Sequence, residues 1–432
     1  MMRKYRGAGI LALAVGTALL ATGCSASGDA GSSGNGKVSM TFWHNSTTGA
    51  GKAYWDKTVA AFEAANPNVT IKIQAIQNEE MDGKLQTALN SGDAPDIFMA
   101  RGGGKLADVV AAGGAMDITD SIDSATKTAV PAGVLDAFKV NGKIYGMPTA
   151  VLPGGIFYSK DLFKAAGIDS PPATMGELNS AVSKLKATGV DPIAVGAKDA
   201  WPAAHWFYFF AQRECSQATM TKAAKAKTFD DPCWLKAGKD YDAFAKTKPF
   251  NNGFLTTSAQ QGAGSSAGLL ANHKAAMELM GAWDPGVIAS LTPDAKPLAD
   301  LGWFPFPAIE GAKGGEGAIM GGVDGFTCSA KAPKKACTDF LNFFMKQKSQ
   351  EEYATAFQTL PASKDAQGVV SDPALKSILK SYNDAPYVTV WLDTLFGQNV
   401  GNALNTSVVD MLAGKGSPAG IVTAVNDAGA KG

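Results

Sequence analysis

Each of three short apolar segments near the start of the chain ends in polar side chains. VSMTFW is followed by a histidine and an asparagine, VTIKIQAI by two amides and a glutamate, and IFMA by an arginine and three glycines. These groups donate and accept hydrogen bonds, but no nucleophile stands beside a base, as covalent catalysis requires. The glycines do not form a phosphate loop, because GxxxxGK[ST] is absent. The pattern favours ligand binding over catalysis, and the candidate contacts are His44, Asn45, Gln77, Glu79 and Arg101.

The segments that position these side chains alternate between strand and helix patterns. Trp55, Val59 and Phe62 recur with helical spacing between the first two apolar segments, and a four-residue repeat begins at Met81 after the second. Strands that alternate with amphipathic helices predict right-handed βαβ crossovers and a parallel sheet. Because ligands bind beyond the carboxyl ends of the strands in such sheets, we expect the polar ends to meet at one site.

Length and charge narrow the class of ligand. The chain has 432 residues, of which 46% are hydrophobic and 18% charged. This length accommodates two or three globular domains with full cores. The 39 basic and 39 acidic residues cancel, so there is no excess of positive charge from which to build a nucleic-acid surface. A neutral ligand fits this balance better than a polyanion.

The N-terminus has the pattern of an export signal. A basic start, Met1–Gly7, precedes the apolar run Ala8–Ala21 and then Cys24. About fourteen apolar residues are too few to span a bilayer, which needs roughly 20. The segment resembles a bacterial lipoprotein signal, which predicts a signal peptide at 1–23, lipidation of Cys24 and a flexible linker at 24–37. The alternative is an ordinary signal peptide cleaved elsewhere. The predicted location is extracytoplasmic, on the outer face of the cell membrane, with a lipid anchor as the only membrane contact.

The remaining cysteines predict two disulfides. Besides Cys24 there are four, and an even number in an exported chain is typical of disulfide bonding. Three pairings are possible, of which we favour the local one, Cys215–Cys233 and Cys328–Cys337. A zinc site is disfavoured because no CxxC occurs and the three histidines are scattered. We expect neither a metal nor a cofactor.

Residues 145–196 carry a specific family likeness. A YGMP strand, an FYSKDLF turn, a Gly-Ile, a Pro-Pro pair and a Thr-x-x-Glu-Leu helix occur there in order. This run resembles the central segment of the sugar-type extracellular solute-binding proteins of ABC importers, the maltose-binding-protein-like family. Ser159 departs from the asparagine that the family often has. The likeness extends from about Val38 to the C-terminus.

The resemblance implies an α/β fold with two lobes, the type II periplasmic-binding-protein fold. Each lobe would be a mainly parallel sheet flanked by helices, and two or three chain crossings would form the hinge. The expected N-terminal lobe comprises 38–148 and 305–347. The expected C-terminal lobe comprises 149–304 and 348–432.

The resemblance also implies how a sugar would be held. Aromatic rings stack on the flat C–H faces of sugars, and planar amides, carboxylates and guanidinium groups bond pairs of hydroxyls. Trp283 resembles the stacking tryptophan that the family carries at a strand exit. The further candidates for ligand contact are Trp201, His205, Asp284, Asp324 and Trp391.

The implied function is that of a monomeric receptor rather than an enzyme. It would close on an oligosaccharide and deliver it to the transmembrane subunits of an ABC permease. FWHN, IQNE and RGGGK most resemble actinobacterial binders of xylobiose and xylo-oligosaccharides. Cellobiose, maltose or chitobiose are alternative sugars, and a polyamine is an alternative ligand. The alternative class is a secreted glycoside hydrolase, which would need two carboxylates about 5–10 Å apart. A ferric-ion binder is disfavoured because no Tyr-Tyr pair occurs.

Overall fold

The computed structural model of the protein describes residues 36–431. The expected signal peptide, the lipidation site Cys24 and nearly all of the linker at 24–37 lie outside this range. Within it, no helix combines the length and the hydropathy needed to cross a bilayer.

The strands are numbered β1 to β12 in chain order. They are β1 Val38–His44, β2 Val69–Ala75, β3 Ile97–Arg101, β4 Lys139–Val140, β5 Lys143–Ile144, β6 Met147–Ser159, β7 Asp191–Ala194, β8 Ala275–Gly281, β9 Leu301–Phe304, β10 Ile319–Cys328, β11 Leu360–Pro361 and β12 Val388–Val390.

The α-helices are numbered α1 to α18 in the same way. They are α1 Gly49–Ala65, α2 Asn78–Ser91, α3 Gly104–Ala111, α4 Ser124–Ala129, α5 Ala132–Asp136, α6 Lys160–Ala165, α7 Met175–Ala187, α8 Trp201–Glu214, α9 Gln217–Ala226, α10 Pro232–Lys246, α11 Ser266–Ala271, α12 Asp284–Leu291, α13 Lys334–Phe344, α14 Gln347–Phe357, α15 Pro373–Asp384, α16 Leu392–Leu395, α17 Gln398–Leu412 and α18 Pro418–Gly429. Short 3₁₀ helices occupy Thr119–Ser121, Ala197–Asp199, Phe254–Thr256 and Lys364–Val369.

The main sheet has the strand order β2-β1-β3-β10-β6-β8-β7. The outer pairs, β1 with β2, β1 with β3 and β7 with β8, are parallel, as βαβ connections require. The central pairs along β10 and β6 are antiparallel. The long strand β6 joins the two halves, because its first half pairs with β10 and its second half with β8 and β9.

Each half of the sheet has its own aromatic core. In the first half Phe42 packs edge-on against Trp55 and Phe326, with ring centroids 5.2 and 4.9 Å apart. In the second half Phe229 stacks on Trp234 at 3.8 Å. The helical spacing at Trp55 therefore marks a buried face, as predicted.

Three local predictions are confirmed. The Asn141-Gly142 pair has positive φ angles of 51° and 80° and joins β4 to β5 in a hairpin. The Thr174 hydroxyl accepts from the Glu177 N–H at 3.2 Å while the Glu177 carboxylate accepts from the Thr174 N–H, which completes the capping box.

The third is the disulfide pairing. Cys215 is bonded to Cys233 and Cys328 to Cys337, with Cα atoms 5.2 and 6.1 Å apart. The second bridge ties the end of β10 to α13, which covers the first half of the sheet.

Helix α14 begins at Gln347, where the expected boundary between the lobes falls. It packs against α1, where the Tyr54 and Tyr353 rings are 5.5 Å apart and Lys57 pairs with Glu352 at 2.8 Å. The apolar face of α14 is therefore buried in part against α1. The expected lobe limits stay predictions.

Candidate functional site

A cleft of about 1370 Å³ lies beyond the carboxyl ends of β1, β2 and β3. One wall comes from these strand ends and the start of α2, and the facing wall from α8, the β8–α12 turn and the segment around α16. The structure therefore brings together strand exits that are far apart in the chain. Of the predicted contacts, those that line the cleft are Asn45, Gln77, Glu79, Arg101, Trp201, His205, Trp283, Asp324 and Trp391.

Aromatic rings form one wall. Trp283 lies 5.9 Å from Trp201 and 6.1 Å from Trp391 between ring centroids, both edge-on. His205 stacks flat on Trp391 at 4.0 Å. These four rings give an apolar surface against which the C–H face of a ligand ring can pack.

Two glycines leave room for the Trp391 indole in this wall. A Cβ atom on Gly154 of β6 would lie 2.2 Å from the indole, and one on Gly322 of β10 would lie 2.9 Å from it. Any larger residue at either position would displace the ring. Trp391 thus reaches the cleft because the two central strands leave room for it.

The opposite wall is built around Arg101. Its guanidinium donates to Asn78 at 2.8 Å and pairs with Asp82 and Asp324, each at 3.4 Å. Lys105 pairs with Asp82 at 2.8 Å. The cleft therefore presents charged groups that are already paired and oriented.

The pKa values of this network follow from burial and pairing. Burial raises the pKa of Asp324, and Arg101 only partly offsets that effect. Burial also favours the neutral form of Asp82, but Arg101 and Lys105 outweigh it and hold the pKa of Asp82 well below its usual range. The carboxylates and cations restrain one another, which is the arrangement a pre-organised binding site needs.

A hydrogen bond from a side-chain amide crosses the cleft. The Gln261 side chain, on the segment before α11, donates to the Glu79 carboxylate on α2 at 3.0 Å. On the first wall Asn45 donates to Asn78 at 3.2 Å. The two walls are therefore close enough for direct polar contact between them.

His44, a predicted ligand contact, does not line the cleft. His44 is fully buried and its Nδ1 accepts from the Ser46 N–H at 3.1 Å. In β1 alternate residues face the core, so His44 shares the inward face of Met40 and Phe42. Burial lowers the pKa of His44 to about 4, which keeps the ring neutral.

The predicted contact Asp284 does not line the cleft either. It is fully buried at the start of α12. Only the indole that precedes it reaches the cleft wall. Trp283 therefore belongs to the cleft wall, whereas Asp284 belongs to the interior.

Residues 45–351 match the family described as "Bacterial extracellular solute-binding protein". The chain belongs to this family. The match covers the residues that follow β1, β2 and β3, helix α8 and the β8–α12 turn with Trp283. The cleft walls therefore lie largely within the family region.

Solved structures and sequence relatives agree with this membership. The solute-binding protein is 27% identical over 395 residues to an ABC transporter extracellular-binding protein of Pyrococcus horikoshii, covering 89% of this chain and 86% of the relative. It superposes with a TM-score of 0.82 and 25% identity on a protein from work on xylan utilization by Caldanaerobius polysaccharolyticus, covering 91% of this chain and 100% of the other. A chitin oligosaccharide binding protein gives a TM-score of 0.83 and 25% identity, with coverages of 91% and 98%. The type II periplasmic-binding-protein fold is thereby confirmed.

Sequence reasoning missed several cleft residues of the solute-binding protein. Asp82, Lys105, Asp393 and Gln261 all line the cleft. Asp82 lies one helical turn after Asn78, so its i+4 spacing was an available signal. The sequence gives no such signal for Gln261, because its position depends on a loop that approaches α2 only in the folded chain.

Proposed function

We propose that this protein is the substrate-binding lipoprotein of an ABC importer and that it captures a neutral oligosaccharide by hinge closure. The observation that carries the proposal is the pairing of a four-ring aromatic wall with a wall of oriented amides and ion pairs in one 1370 Å³ cleft. Sugars need both surfaces, whereas an apolar ligand would leave the polar wall unpaired. Ligand contact with both walls would stabilise the closed state.

The preferred ligand is xylobiose or a longer xylo-oligosaccharide. The motif likeness and the similarity to the protein from work on xylan utilization support this choice. Similarity to the chitin oligosaccharide binding protein supports chitobiose as the first alternative, followed by cellobiose and maltose.

The charged residues of the cleft favour a neutral ligand, with a polyamine as the alternative. Arg101 and Lys105 are engaged by Asp82 and Asp324, so little positive charge is free for an anion. The lining holds five acidic residues and three basic ones, which keeps a polyamine as the second candidate. The acidic residues are Glu79, Asp82, Asp199, Asp324 and Asp393, and the basic ones are Lys105, Arg101 and Lys198.

A ligand panel tests the function. Thermal unfolding is measured with xylobiose, xylotriose, diacetylchitobiose, cellobiose, maltose and spermidine. A ligand that binds the native state stabilises it by a free energy of RT ln(1+[L]/Kd) and thereby raises Tm. We expect the largest shift with a xylo-oligosaccharide. A shift with spermidine alone would replace the sugar by a polyamine, and no shift with any sugar would refute the proposal.

The hydrolase alternative has a separate test. The family consists of binding proteins, and we expect the protein to return labelled xylotriose unchanged after prolonged incubation. Release of xylose or xylobiose would instead identify an enzyme.

The proposed partner is the transmembrane part of an ABC permease, with the monomeric receptor tethered through Cys24 to the outer face of the membrane. Labelling of the whole cell with a fatty-acid analogue tests the tether. We expect label on the wild type and none on Cys24→Ala, which should appear in the medium. Equal release of both proteins would favour an ordinary signal peptide.

A further inference from the structure

One loop reaches across the cleft from the wall that carries the aromatic rings. This loop, residues 257–265 with the sequence TSAQQGAGS, precedes α11, and we name it the strap. Three of its residues, Gln260, Gln261 and Gly262, line the cleft. Residues 261–264 are exposed to solvent. The tip of the strap therefore lies at an edge where the cleft opens to solvent.

The base of the strap is fixed to the aromatic wall. The N–H of Ala259, a fully buried residue, donates to the Asp199 carboxylate at 2.7 Å. The Lys198 N–H donates to the Thr257 carbonyl at 3.1 Å. Both partners lie just before α8, which begins at Trp201. These bonds hold the base of the strap beside the start of the aromatic helix.

The tip of the strap has room to move. Gly262 has a φ angle of 82°, in the region that favours glycine. A Cβ atom on Gly262 or on Gly264 would meet no other atom within 4 Å. The backbone of the tip can therefore change its conformation while the base stays bonded to the wall.

One side chain of the tip is bonded to the opposite wall. The Gln261 amide donates to the Glu79 carboxylate at 3.0 Å. The second oxygen of Glu79 accepts from the Asn78 amide at 3.5 Å, and the Asn78 oxygen accepts from Arg101 at 2.8 Å. The Arg101 network therefore orients the carboxylate that receives the strap. The walls cannot separate at this edge until the bond between Gln261 and Glu79 breaks.

We propose that the strap retains bound ligand: the bond between Gln261 and Glu79 holds the two walls together over a sugar, and its rupture is a step in ligand release. The part that concerns release of a sugar rests on the proposed function. The part that concerns closure of the cleft edge does not, because the bond joins two groups of the protein.

Loss of the bond has a defined effect on the release rate, koff. Gln261→Ala removes the donor, and one hydrogen bond of this kind changes koff by roughly threefold to tenfold. Gln261→Glu places a second carboxylate against Glu79 and accelerates release further. In a protein that carries Glu79→Lys, the same change places a carboxylate against an ammonium group and slows release. A residue that contacts only the sugar would not reverse its effect with the charge at position 79.

The experiment is a double-mutant cycle on the full chain. It compares the wild type, Gln261→Glu, Glu79→Lys and the variant with both changes. Stopped-flow tryptophan emission measures koff for the sugar that gives the largest Tm shift in the panel. Gln261→Ala is compared with Gln217→Ala, a matched change at an exposed glutamine that lies at the start of α9 and does not line the cleft.

Quenching of Trp201 emission by acrylamide measures closure of the edge without sugar. This emission is the difference between each protein and the same protein carrying Trp201→Phe. Trp201 lines the cleft beside the base of the strap, so an open edge exposes its indole to more quencher.

We expect Gln261→Ala to raise koff and Gln217→Ala to leave it unchanged. Gln261→Glu should raise both koff and quenching in the wild-type background and lower both in the Glu79→Lys background. The same sign in both backgrounds would overturn the proposal, as would equal koff values for Gln261→Ala and the wild type.

Two outcomes separate the strap from the proposed function. If Glu79→Lys binds no sugar, the sign of the quenching change in that background decides whether the strap closes the edge. If the wild type binds no sugar of the panel, the proposed function fails, and the quenching cycle still tests the bond between Gln261 and Glu79.

Discussion

The imidazole of His205 lies flat on the indole of Trp391, with ring centroids 4.0 Å apart and planes inclined by 6°. Both residues are almost fully buried, at 3% and 6% exposure. Trp201 and Trp283 are only partly buried and stand beside them. The stacked pair is therefore the floor of the aromatic wall, while Trp201 and Trp283 offer the ring surface that a ligand can still cover.

Removal of the Trp283 ring should weaken sugar binding. Trp283→Ala deletes a partly exposed aromatic surface, and loss of such an anchor costs about 2 kcal/mol, or roughly thirtyfold in Kd. Calorimetry with the sugar that gives the largest Tm shift in the panel measures this change in Kd. Trp43→Ala is the matched control because Trp43 lies outside the cleft, and its Kd should stay at the wild-type value. Full-strength binding by Trp283→Ala would remove this residue from the site.

Loss of the Arg101 charge should destabilise the fold itself. Arg101→Met leaves Asp82 and Asp324 without their shared cation in a mostly buried setting, at a cost of about 3 kcal/mol. Urea unfolding of Arg101→Met and of the wild type measures the change in the free energy of unfolding. Lys52→Met, which breaks the exposed pair of Lys52 with Asp56, should change it by less than about 0.5 kcal/mol. Equal effects of the two variants would contradict the buried network.

Acid should destabilise the protein through its buried histidines. Burial lowers the pKa of both His44 and His205 to about 4. The stability that the neutral rings contribute is fully present above the unfolded pKa of about 6.5 and is lost as the pH falls from there towards 4, because the unfolded chain binds the protons first.

His44→Gln tests this effect. The slope of unfolding free energy against pH should fall by up to about 1.4 kcal/mol per pH unit in this window. Because the raised pKa of Asp284 acts in the opposite direction, the variant must be compared with the wild type at each pH. Superimposable slopes would show that His44 does not titrate with unfolding.

The two disulfides should contribute unequally. Cys215 and Cys233 are separated by 18 positions and Cys328 and Cys337 by 9. Each bridge stabilises by about 2–4 kcal/mol through restriction of the unfolded chain, and doubling the loop adds roughly 0.6 kcal/mol. Urea unfolding of the two double Cys→Ser variants measures the difference. A larger loss from the shorter loop would show that native packing, rather than loop entropy, dominates.

Sequence reasoning succeeded where a few neighbouring residues decide the outcome. The Asn141-Gly142 hairpin, the Thr174 capping box and the buried stripe of α1 each depend on spacing along one segment. The strand exits were also placed correctly at one site, since parallel strands share an edge. By contrast, His44 was assigned to the ligand although its alternation with Phe42 puts it on the inward face.

Local periodicity and motifs in a continuous run were enough to predict the family, the main strands and helices, and most of the residue types that meet in the cleft. The surroundings of each side chain, by contrast, depend on the packing of segments that are distant in the chain. Arg101 is neutralised by an aspartate 223 positions away, and Gln261 reaches Glu79 across 182 positions. Such contacts depend on how distant segments pack, and for the same reason Asp284 is buried while its neighbour Trp283 faces the cleft.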